Sequence, residues 1–434
     1  MASDIQNFKC PACTGPLKFS AKTGKLTCEY CDSSYTTEEI EALYAEEQTE
    51  AEQAFDINEE KAAKAKENGE DAWTAGEGMK SYNCPSCGAE LLCDENTAAT
   101  CCPYCGNQTV VPGQFSSTRR PDYVIPFKFE KQAAIDALNN HYKGKKLLPT
   151  SFTSSNHIEE IQGVYVPFWL YDGTASGTLN YEATTVHETD HVTYTQTETK
   201  YYDVTRSGSI KFEKIPADGS SRMPDGHMDS IEPYNYKELK PFSMAYLPGF
   251  LAEKYDVDEK ACEPRFKERS AETFEARVNA TVSNYHSYKN KKKEIDVKTD
   301  AVNYALMPVW MLSTKWQDQN FLFAMNGQTG KLVGDLPVDK GKAVLNYIIS
   351  FILSFIACIV ISFFAVDFDG STVIIDFFAA LGIAAIYVWT LVASMKSVGK
   401  QDAQAYVTEG GLKLTVKTDV YLRSKIEKHS KSND

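Results

Sequence analysis

The chain has 434 residues, which is more than one ordinary domain needs, and a formal net charge of −14. Most of this charge lies between Asp32 and Lys80, where fifteen Asp and Glu residues stand against four Lys residues. The sequence lacks a basic block of the kind that follows a phosphate backbone, which weighs against a protein that grips nucleic acid duplexes.

Eight of the twelve cysteines form four Cys-x-x-Cys pairs, arranged as two similar units. Fourteen residues separate the two pairs of each unit, and a shift of 74 positions overlays one unit on the other. Because Zn²⁺ prefers four tetrahedral ligands, this spacing predicts two zinc ribbons, at residues 1–35 and 81–112, each with one structural Zn²⁺. The predicted ligands are Cys10, Cys13, Cys28, Cys31, Cys84, Cys87, Cys102 and Cys105.

The alternatives to zinc at these positions are disulfides or free thiols. Gly88 and Gly106 follow the second cysteine of each pair in the second unit, where the backbone can turn with positive φ. Thr14 and Asp32 occupy the same places in the first unit. Four thiolates close the coordination shell, so we expect a structural metal rather than a catalytic one.

Paired thiolates require a reducing compartment, which places the N-terminal part in the cytoplasm. The opening MASDIQNFKC has no basic stretch followed by an apolar one, so we expect no cleaved signal peptide. Cys93 and Cys101 are expected to be strand residues that point away from the metal, although a redox role for them stays open.

Residues 36–80 are predicted to form an acidic helical linker, with Thr36 or Thr37 as the N-cap. Its apolar stripe is thin, so this helix is expected to pack weakly, as a spacer or a partner surface. Fraying into an acidic linker is the alternative.

Residues 120–338 are rich in Tyr, Phe, Thr and Trp and are predicted to form an α+β domain. One amphipathic helix is predicted from Glu130 and a stronger one from Pro264, which suits a first helical turn. The apolar face of the second helix comprises Phe266, Phe274, Val278, Val282 and Tyr285. Most of the remaining sequence alternates as strands do.

His187 to His191 read HETDH, which matches the H-E-x-x-H pattern of zinc proteases. That motif needs a helix to bring the two imidazoles together, whereas the Thr-, Val- and Tyr-rich surroundings favour a strand. In a strand the two histidines lie roughly 13 Å apart, and Glu188 points to the opposite face. The sequence therefore favours a strand without a metal site, and an enzyme that uses HETDH is the weaker alternative.

Two segments near the C-terminus are predicted to be transmembrane helices, at residues 343–366 and 373–395. The first runs for twenty-four residues without a charge, about 36 Å of helix. The alternative is a buried core hairpin, but core helices rarely run that far without a polar face. Asp376 is expected to be an interfacial carboxylate, with ion handling as the alternative.

Lysines flank the two spans, and Asp367 and Asp369 lie between them without a Lys or Arg. The positive-inside rule therefore places both termini in the cytoplasm. Residues 396–434 are predicted to be a mildly basic cytoplasmic tail. Its cations either lie against anionic headgroups, or the tail is solvated with a short hairpin.

The order of these features resembles a bacterial, mainly Firmicute, family of membrane proteins with tandem TFIIB-type zinc ribbons. The similarity rests on both cysteine units, on stretches such as GVYVPFWLYD, SIEPYNY and YLPGFLAEKYD, and on the apolar helical hairpin. Members are often labelled as primosomal helicase-like or phage replication proteins, but this sequence has no helicase ATPase motif. Some members are encoded beside flotillin-like (SPFH) and phage-shock-type proteins, and the resemblance implies a membrane anchor that recruits them.

Together these features predict a multidomain, non-enzymatic scaffold in the cell membrane, with closed zinc ribbons as protein-binding modules. The expected partners are the lipid bilayer and proteins of the SPFH or phage-shock type, or a paralogous membrane subunit; self-association stays open. The alternative is a membrane-associated, replication-linked protein that binds nucleic acid through its ribbons. Lys9, Lys18, Lys22 and Lys25 of the first ribbon support that alternative.

Overall fold

The chain is multidomain, with a sheet-rich soluble part and two C-terminal apolar helices, in a computed structural model. The structure describes residues 10–12, 17–28, 31–43, 79–83, 90–94, 97–101, 108–110, 119–155, 161–253, 255–317, 319–365 and 370–430. The described residues from 119 to 338 are called the body below.

The first cysteine unit contains a three-stranded antiparallel sheet followed by a short helix. Its elements are β1 Leu17–Ser20, β2 Lys25–Cys28, β3 Ser34–Tyr35 and α1, residues 37–43. Thr36 is the N-cap of α1, as predicted, because its hydroxyl accepts from Glu39 N at 3.2 Å and its own N–H donates to Glu39 Oε2 at 2.8 Å. Residues 44–78 of the predicted linker lie outside the described residues. Its last two residues, Met79 and Lys80, belong to a strand of the second unit, so the linker ends earlier than predicted.

The second cysteine unit contributes two antiparallel strand pairs. Its strands are β4 Met79–Asn83, β5 Glu90–Asp94, β6 Thr97–Cys101 and β7 Gln108–Val110. Cys93 and Cys101 lie within β5 and β6, so their predicted placement in strands is confirmed.

The body is built on a sheet that, counted over the described residues, has eleven strands and includes β6 and β7. The other strands are β8 Tyr123–Val124, β9 Gln162–Asp190, β10 Tyr194–Asp218, β11 Lys240–Pro241, β12 Leu251–Glu253, β13 Ser287–Trp316, β14 Gln319–Asn326, β15 Leu332–Val333 and β16 Lys413–Ser430. Strand β12 pairs with β6, which joins the second unit to the body. The four longest strands lie in the order β16–β10–β9–β13 and are called the extended sheet.

Four helices accompany this sheet: α2 Lys131–Tyr142, α3 Thr150–Ser155, α4 Asp225–Ser230 and α5 Glu259–Ala280. Helix α5 covers one face of the extended sheet, with Phe266 stacked on Tyr171 at 5.0 Å between ring centroids. The predicted apolar face is buried at Phe266, Phe274, Val278 and Val282.

Helix α5 begins earlier than the sequence predicts, so Pro264 lies inside the helix rather than in its first turn. Asp258 causes the difference: its carboxylate accepts from Ala261 N at 2.8 Å and caps the helix at that point.

The segment predicted as a tail contains β16, an edge strand of the extended sheet. Strand β16 pairs antiparallel with β10 along its length, from Lys413 opposite Ser209 to Ser430 opposite Tyr194. Buried Arg206 fixes this pairing by donating to Asp419 Oδ1 at 2.5 Å. The sequence predicts no long strand in the tail. The reason is that β10, the strand with which β16 pairs, lies more than 200 residues earlier in the chain.

The two apolar helices, α6 Lys340–Ala365 and α7 Gly370–Ala393, pack together and are called the hairpin. Both are long and apolar enough to cross a membrane. Large apolar side chains point outward, with Phe364 82% and Trp389 70% exposed, a surface that suits lipid better than water. These features are consistent with a membrane protein.

Asp376 of α7 is buried between the two helices, where its Oδ1 accepts from Ser362 Oγ at 2.9 Å. Ala380 and Ala384 are also buried, so the small residues lie where the helices approach each other.

Candidate metal centre

Three of the predicted zinc ligands meet in the first cysteine unit. The sulfurs of Cys10, Cys28 and Cys31 all lie within 4.8 Å of one another, and those of Cys10 and Cys31 are 3.5 Å apart. Zn–S bonds of about 2.3 Å at tetrahedral angles separate two sulfurs by about 3.8 Å. The three thiols therefore fit a zinc ion, and they are called the first cysteine cluster below.

The local backbone explains how Cys28 and Cys31 face the same point. Cys28 ends β2, its N–H donates to Ser33 O at 2.9 Å, and Asp32 N donates back to Cys28 O at 3.0 Å. Asp32 has a φ of +56°, the left-handed conformation that the sequence predicts for the glycines of the second unit. Asp tolerates this conformation better than most residues, so the turn forms without glycine.

The first cysteine cluster is only partly shielded from solvent. Cys10 and Cys28 are buried, whereas Cys31 is exposed. Hydroxyl groups adjoin the sulfurs: Tyr35 Oη lies 3.7 Å from Cys10 Sγ, and Ser33 Oγ lies 3.3 Å from Cys31 Sγ. Such neighbours orient thiolates around a bound metal. A metal in this position would hold the loops together rather than meet a substrate.

The other five predicted ligands, Cys13, Cys84, Cys87, Cys102 and Cys105, lie outside the described residues. The full four-cysteine set of each ribbon therefore stays a prediction. Among the described residues, the first cysteine cluster is the one place where three or more metal-ligating side chains bring their donor atoms together.

The first cysteine unit packs against the body. Phe19 N donates to Pro248 O at 2.9 Å, and the Phe19 ring meets Tyr246 edge-on at 5.4 Å. Thr37 adds a hydrogen bond to the Tyr246 hydroxyl at 3.4 Å. Because Leu17, Leu26 and Ile40 are buried in the same apolar core, the cluster is held in place on the body.

The HETDH pattern forms no metal site. His187 to Asp190 belong to β9, as predicted, and His191 lies in the turn that follows. His187 is paired across the sheet with Glu198, while His191 stacks on Tyr194 at 4.4 Å. The sheet therefore separates the two imidazoles that a protease would need together.

Sequence reasoning missed a buried ion network between α5 and the segment after the hairpin. Arg269 donates twice to the Glu232 carboxylate, at 3.0 and 2.6 Å, and Tyr406 donates to Glu232 Oε2 at 2.7 Å. Burial raises the pKa of Glu232 to about 7, although Arg269 and Tyr406 act in the opposite direction. In the sequence, Arg269 stands among charged residues and resembles a solvated helix face, so no signal indicates its partner.

A second arginine, Arg265, which is half-buried, continues this network. Arg265 donates to Asp218 at 2.8 Å and to Asp229 at 2.7 Å. Burial raises the pKa of Asp218 to about 6 despite this contact, and burial also raises the pKa of the Cys262 thiol to about 12. Cys262 is therefore an unreactive core thiol, and the network ties α5 to the strands and to α4.

A cavity of about 620 Å³ opens at one end of the large sheet. Its walls are mainly apolar, with Val164, Met223, Leu251 and Met311 among them. This cavity includes neither the cysteine cluster nor the ion network.

Comparison with known proteins adds a relative. The "Uncharacterized protein YdjG" of Bacillus subtilis (strain 168) is 35% identical over 311 residues, which cover 60% of this chain and 91% of the relative. The chain belongs to the YdjG family. No family model and no solved structure matches the chain.

The YdjG relative confirms a bacterial family for this chain, in agreement with the bacterial resemblance. The name of this relative states no function, metal or partner, so membership of the family assigns none of these to this chain. Zinc ribbons and an association with SPFH proteins stay expectations from the sequence.

Proposed function

We propose that this protein is a non-enzymatic scaffold that the hairpin anchors in the cell membrane, with both termini in the cytoplasm. Two structural Zn²⁺ ions, one per ribbon, stiffen the modules that bind partner proteins. The first ion is held by Cys10, Cys13, Cys28 and Cys31. The second is held by Cys84, Cys87, Cys102 and Cys105.

The observation that carries this proposal is the direct attachment of the body to one end of the hairpin. Leu336 N donates to Met395 O at 2.9 Å, and Asp339 N donates to Leu147 O at 2.8 Å, so backbone bonds join the two parts. A body fixed in this way keeps its cysteine modules at a set place beside the bilayer. Fixed placement is the property that a scaffold needs.

The charge of the attachment supports the proposed orientation. Lys145, Lys342 and Lys396 lie at the end of the hairpin that meets the body, whereas the sequence between the helices contains Asp367 and Asp369. Lysines mark the cytoplasmic side of a span. The same side offers the reducing conditions that thiolate ligands require.

The partners we propose are SPFH-type or phage-shock-type membrane proteins. Photo-crosslinking in the native host, followed by purification of the full chain, tests this proposal. Wild type should capture such a protein and contain two Zn²⁺ per chain. Cys28→Ser should lose about one zinc and the crosslink, whereas Cys358→Ser, a matched change within the hairpin, should keep both. A wild-type chain that crosslinks to no membrane protein of these types overturns the proposed partners.

Nucleic acid binding is the second candidate, and one observation favours it. Lys22 and Lys25 are exposed around the β1–β2 turn, where they can approach a phosphate backbone. Purified full chain should then bind RNA or single-stranded DNA with an affinity that falls as salt rises. Unchanged affinity after Lys22→Gln and Lys25→Gln removes this candidate.

A further inference from the structure

Three segments of the chain meet at the end of the hairpin next to the body, and together they contain six lysines. These lysines are called the lysine collar: Lys143, Lys145, Lys146, Lys340, Lys342 and Lys396. We propose that the lysine collar is a binding site for the headgroups of anionic phospholipids. This inference rests on the membrane anchorage proposed above and adds the class of lipid.

Two lysines of the collar bridge the body and the hairpin. The Lys145 ammonium donates to Ser394 O at the end of α7, and Lys342 of α6 donates to Leu148 O at 2.6 Å. These bonds hold the ammonium groups at the junction. Each ammonium has three donors, and its carbonyl partner carries no negative charge, so positive charge and donors remain for a phosphate.

Lys146 reaches along the hairpin itself. Its ammonium lies 3.0 Å from the Tyr387 hydroxyl and 5.7 Å from the centre of that ring. Tyr387 precedes Ser394 by seven residues, which is about 10 Å of helix. Tyrosine at the end of a span marks the headgroup level of a bilayer. Lys146 therefore holds its charge beside a residue type that favours the headgroup level.

Ion pairs within the described part of the chain leave the charge of the collar largely uncompensated. Among the described residues, no carboxylate forms an ion pair with any of the six lysines, whereas nearby Lys400 pairs with both Glu268 and Glu272 at 2.9 Å. Asp335 and Asp339 are the acidic neighbours in the same segments. Asp335 accepts from Ser397 N at 2.9 Å and Asp339 from Lys342 N at 3.0 Å. Both carboxylates keep their negative charge, but the six lysines outnumber them, so the collar stays positive.

The neighbouring surface selects a lipid over a free phosphate. Outward-facing side chains of the hairpin begin directly beside the collar, with Val344 59% and Leu345 56% exposed. A phospholipid can place its acyl chains on this apolar surface and its phosphate among the lysines. The basic residues of the predicted tail are less suited to this role, because β16 places them along the extended sheet.

The test uses the full chain in mixed detergent micelles that contain phosphatidylglycerol and phosphatidylcholine with matched acyl chains. Native mass spectrometry counts the lipids retained. Wild type should retain mainly phosphatidylglycerol. Each surface lysine contributes about five-fold in affinity for an anionic lipid, so Lys145→Gln, Lys146→Gln and Lys342→Gln together should reduce the preference by about 100-fold.

The matched control replaces three exposed lysines of the extended sheet, Lys211, Lys289 and Lys298, with Gln. This control makes the same change in net charge, and the lipid preference should stay at the wild-type value. If the first triple variant fails to fold, the exposed set Lys143→Gln, Lys340→Gln and Lys396→Gln replaces it.

Three outcomes overturn the inference: equal retention of the two lipids by wild type, an equal loss in the control, or displacement of phosphatidylglycerol by millimolar inorganic phosphate. Extraction of native membranes with alkaline carbonate separates this failure from that of the proposed function. A chain that stays in the membrane without a preference for phosphatidylglycerol loses only the lipid site, whereas a chain that is extracted loses the anchorage itself.

Discussion

The segments that enter and leave the hairpin are held to the body by different means. The incoming segment, residues 334–342, is fixed by backbone bonds and by the Asp339 carboxylate, which caps α6. The return segment, residues 396–412, is fixed by buried side chains. Arg269 donates to Asp402 O at 3.3 Å, and Ala403 N donates to Thr273 Oγ1 at 2.8 Å.

The difference shows how one structure uses two kinds of attachment. The incoming bonds join neutral backbone groups or the partly exposed Asp339, so losing one of them leaves no buried charge without a partner. The return segment depends on charges that are removed from water, and such charges are costly when a partner is lost. We therefore expect stability to be far more sensitive to changes at the return segment.

The largest expected effect is that of Arg269→Ala. Glu232 would remain buried without its cation, which costs about 3–5 kcal/mol. The thermal unfolding midpoint of the full chain in detergent should fall by about 10 °C. Lys400→Gln removes an exposed cation of the return segment that pairs with Glu268 and Glu272 of α5, and it should leave the midpoint nearly unchanged. Equal midpoints for wild type and Arg269→Ala contradict the importance of the network.

A pH effect of intermediate size is expected from Glu232, whose pKa is about 7 in the folded chain because burial disfavours its charge. The folded state then binds the proton more tightly than the unfolded state. The contribution of Glu232 to the free energy of unfolding is therefore mostly present at pH 5 and is lost as the pH rises toward 7. This loss amounts to at most about 3 kcal/mol.

His141 and His227, whose pKa values are lowered by burial, give the opposite slope, so wild type must be compared with Glu232→Gln. Between pH 5 and pH 8, the unfolding midpoint of wild type should fall relative to that of the variant. If the midpoint of wild type instead rises relative to that of the variant, then pairing with Arg269 lowers the pKa of Glu232 by more than burial raises it.

The smallest expected effect is that of Asp339→Ala at the incoming segment. Loss of the cap costs about 1 kcal/mol, because the Lys342 N–H then turns to water. The midpoint should fall by about 3 °C, measured in the same detergent. Asp339→Asn keeps an oxygen acceptor and should restore most of the loss. A loss as large as that of Arg269→Ala would remove the contrast between the two segments.

The features that could be predicted from the sequence are those that neighbouring residues encode. Thr36 and Glu39 form a capping box within one turn. The long uncharged run of α6 is evident from its amino-acid composition. The convergence of Cys28 and Cys31 follows from a turn of four residues. In each case the interacting groups lie close together in the chain.

The features that could not be predicted depend on distant partners. Arg206 and Asp419 are separated by 213 residues, and their pairing is what makes β16 a strand of the extended sheet. Glu232 and Tyr406 are 174 residues apart, and each looks ordinary in its local sequence. The collar was missed for the same reason, because Lys146 and Tyr387 come together only when the body meets the hairpin.

The central claim is that the cysteine modules and the body share the cytoplasmic side with both ends of the hairpin. The most direct test is labelling of single added cysteines by a membrane-impermeant maleimide, with wild type as the background. Val192→Cys lies on the body at a side chain that is 97% exposed, and Phe368→Cys lies between the two helices. Intact cells should label Phe368→Cys alone, with Val192→Cys reacting only after permeabilisation. Labelling of Val192→Cys on intact cells would contradict the account.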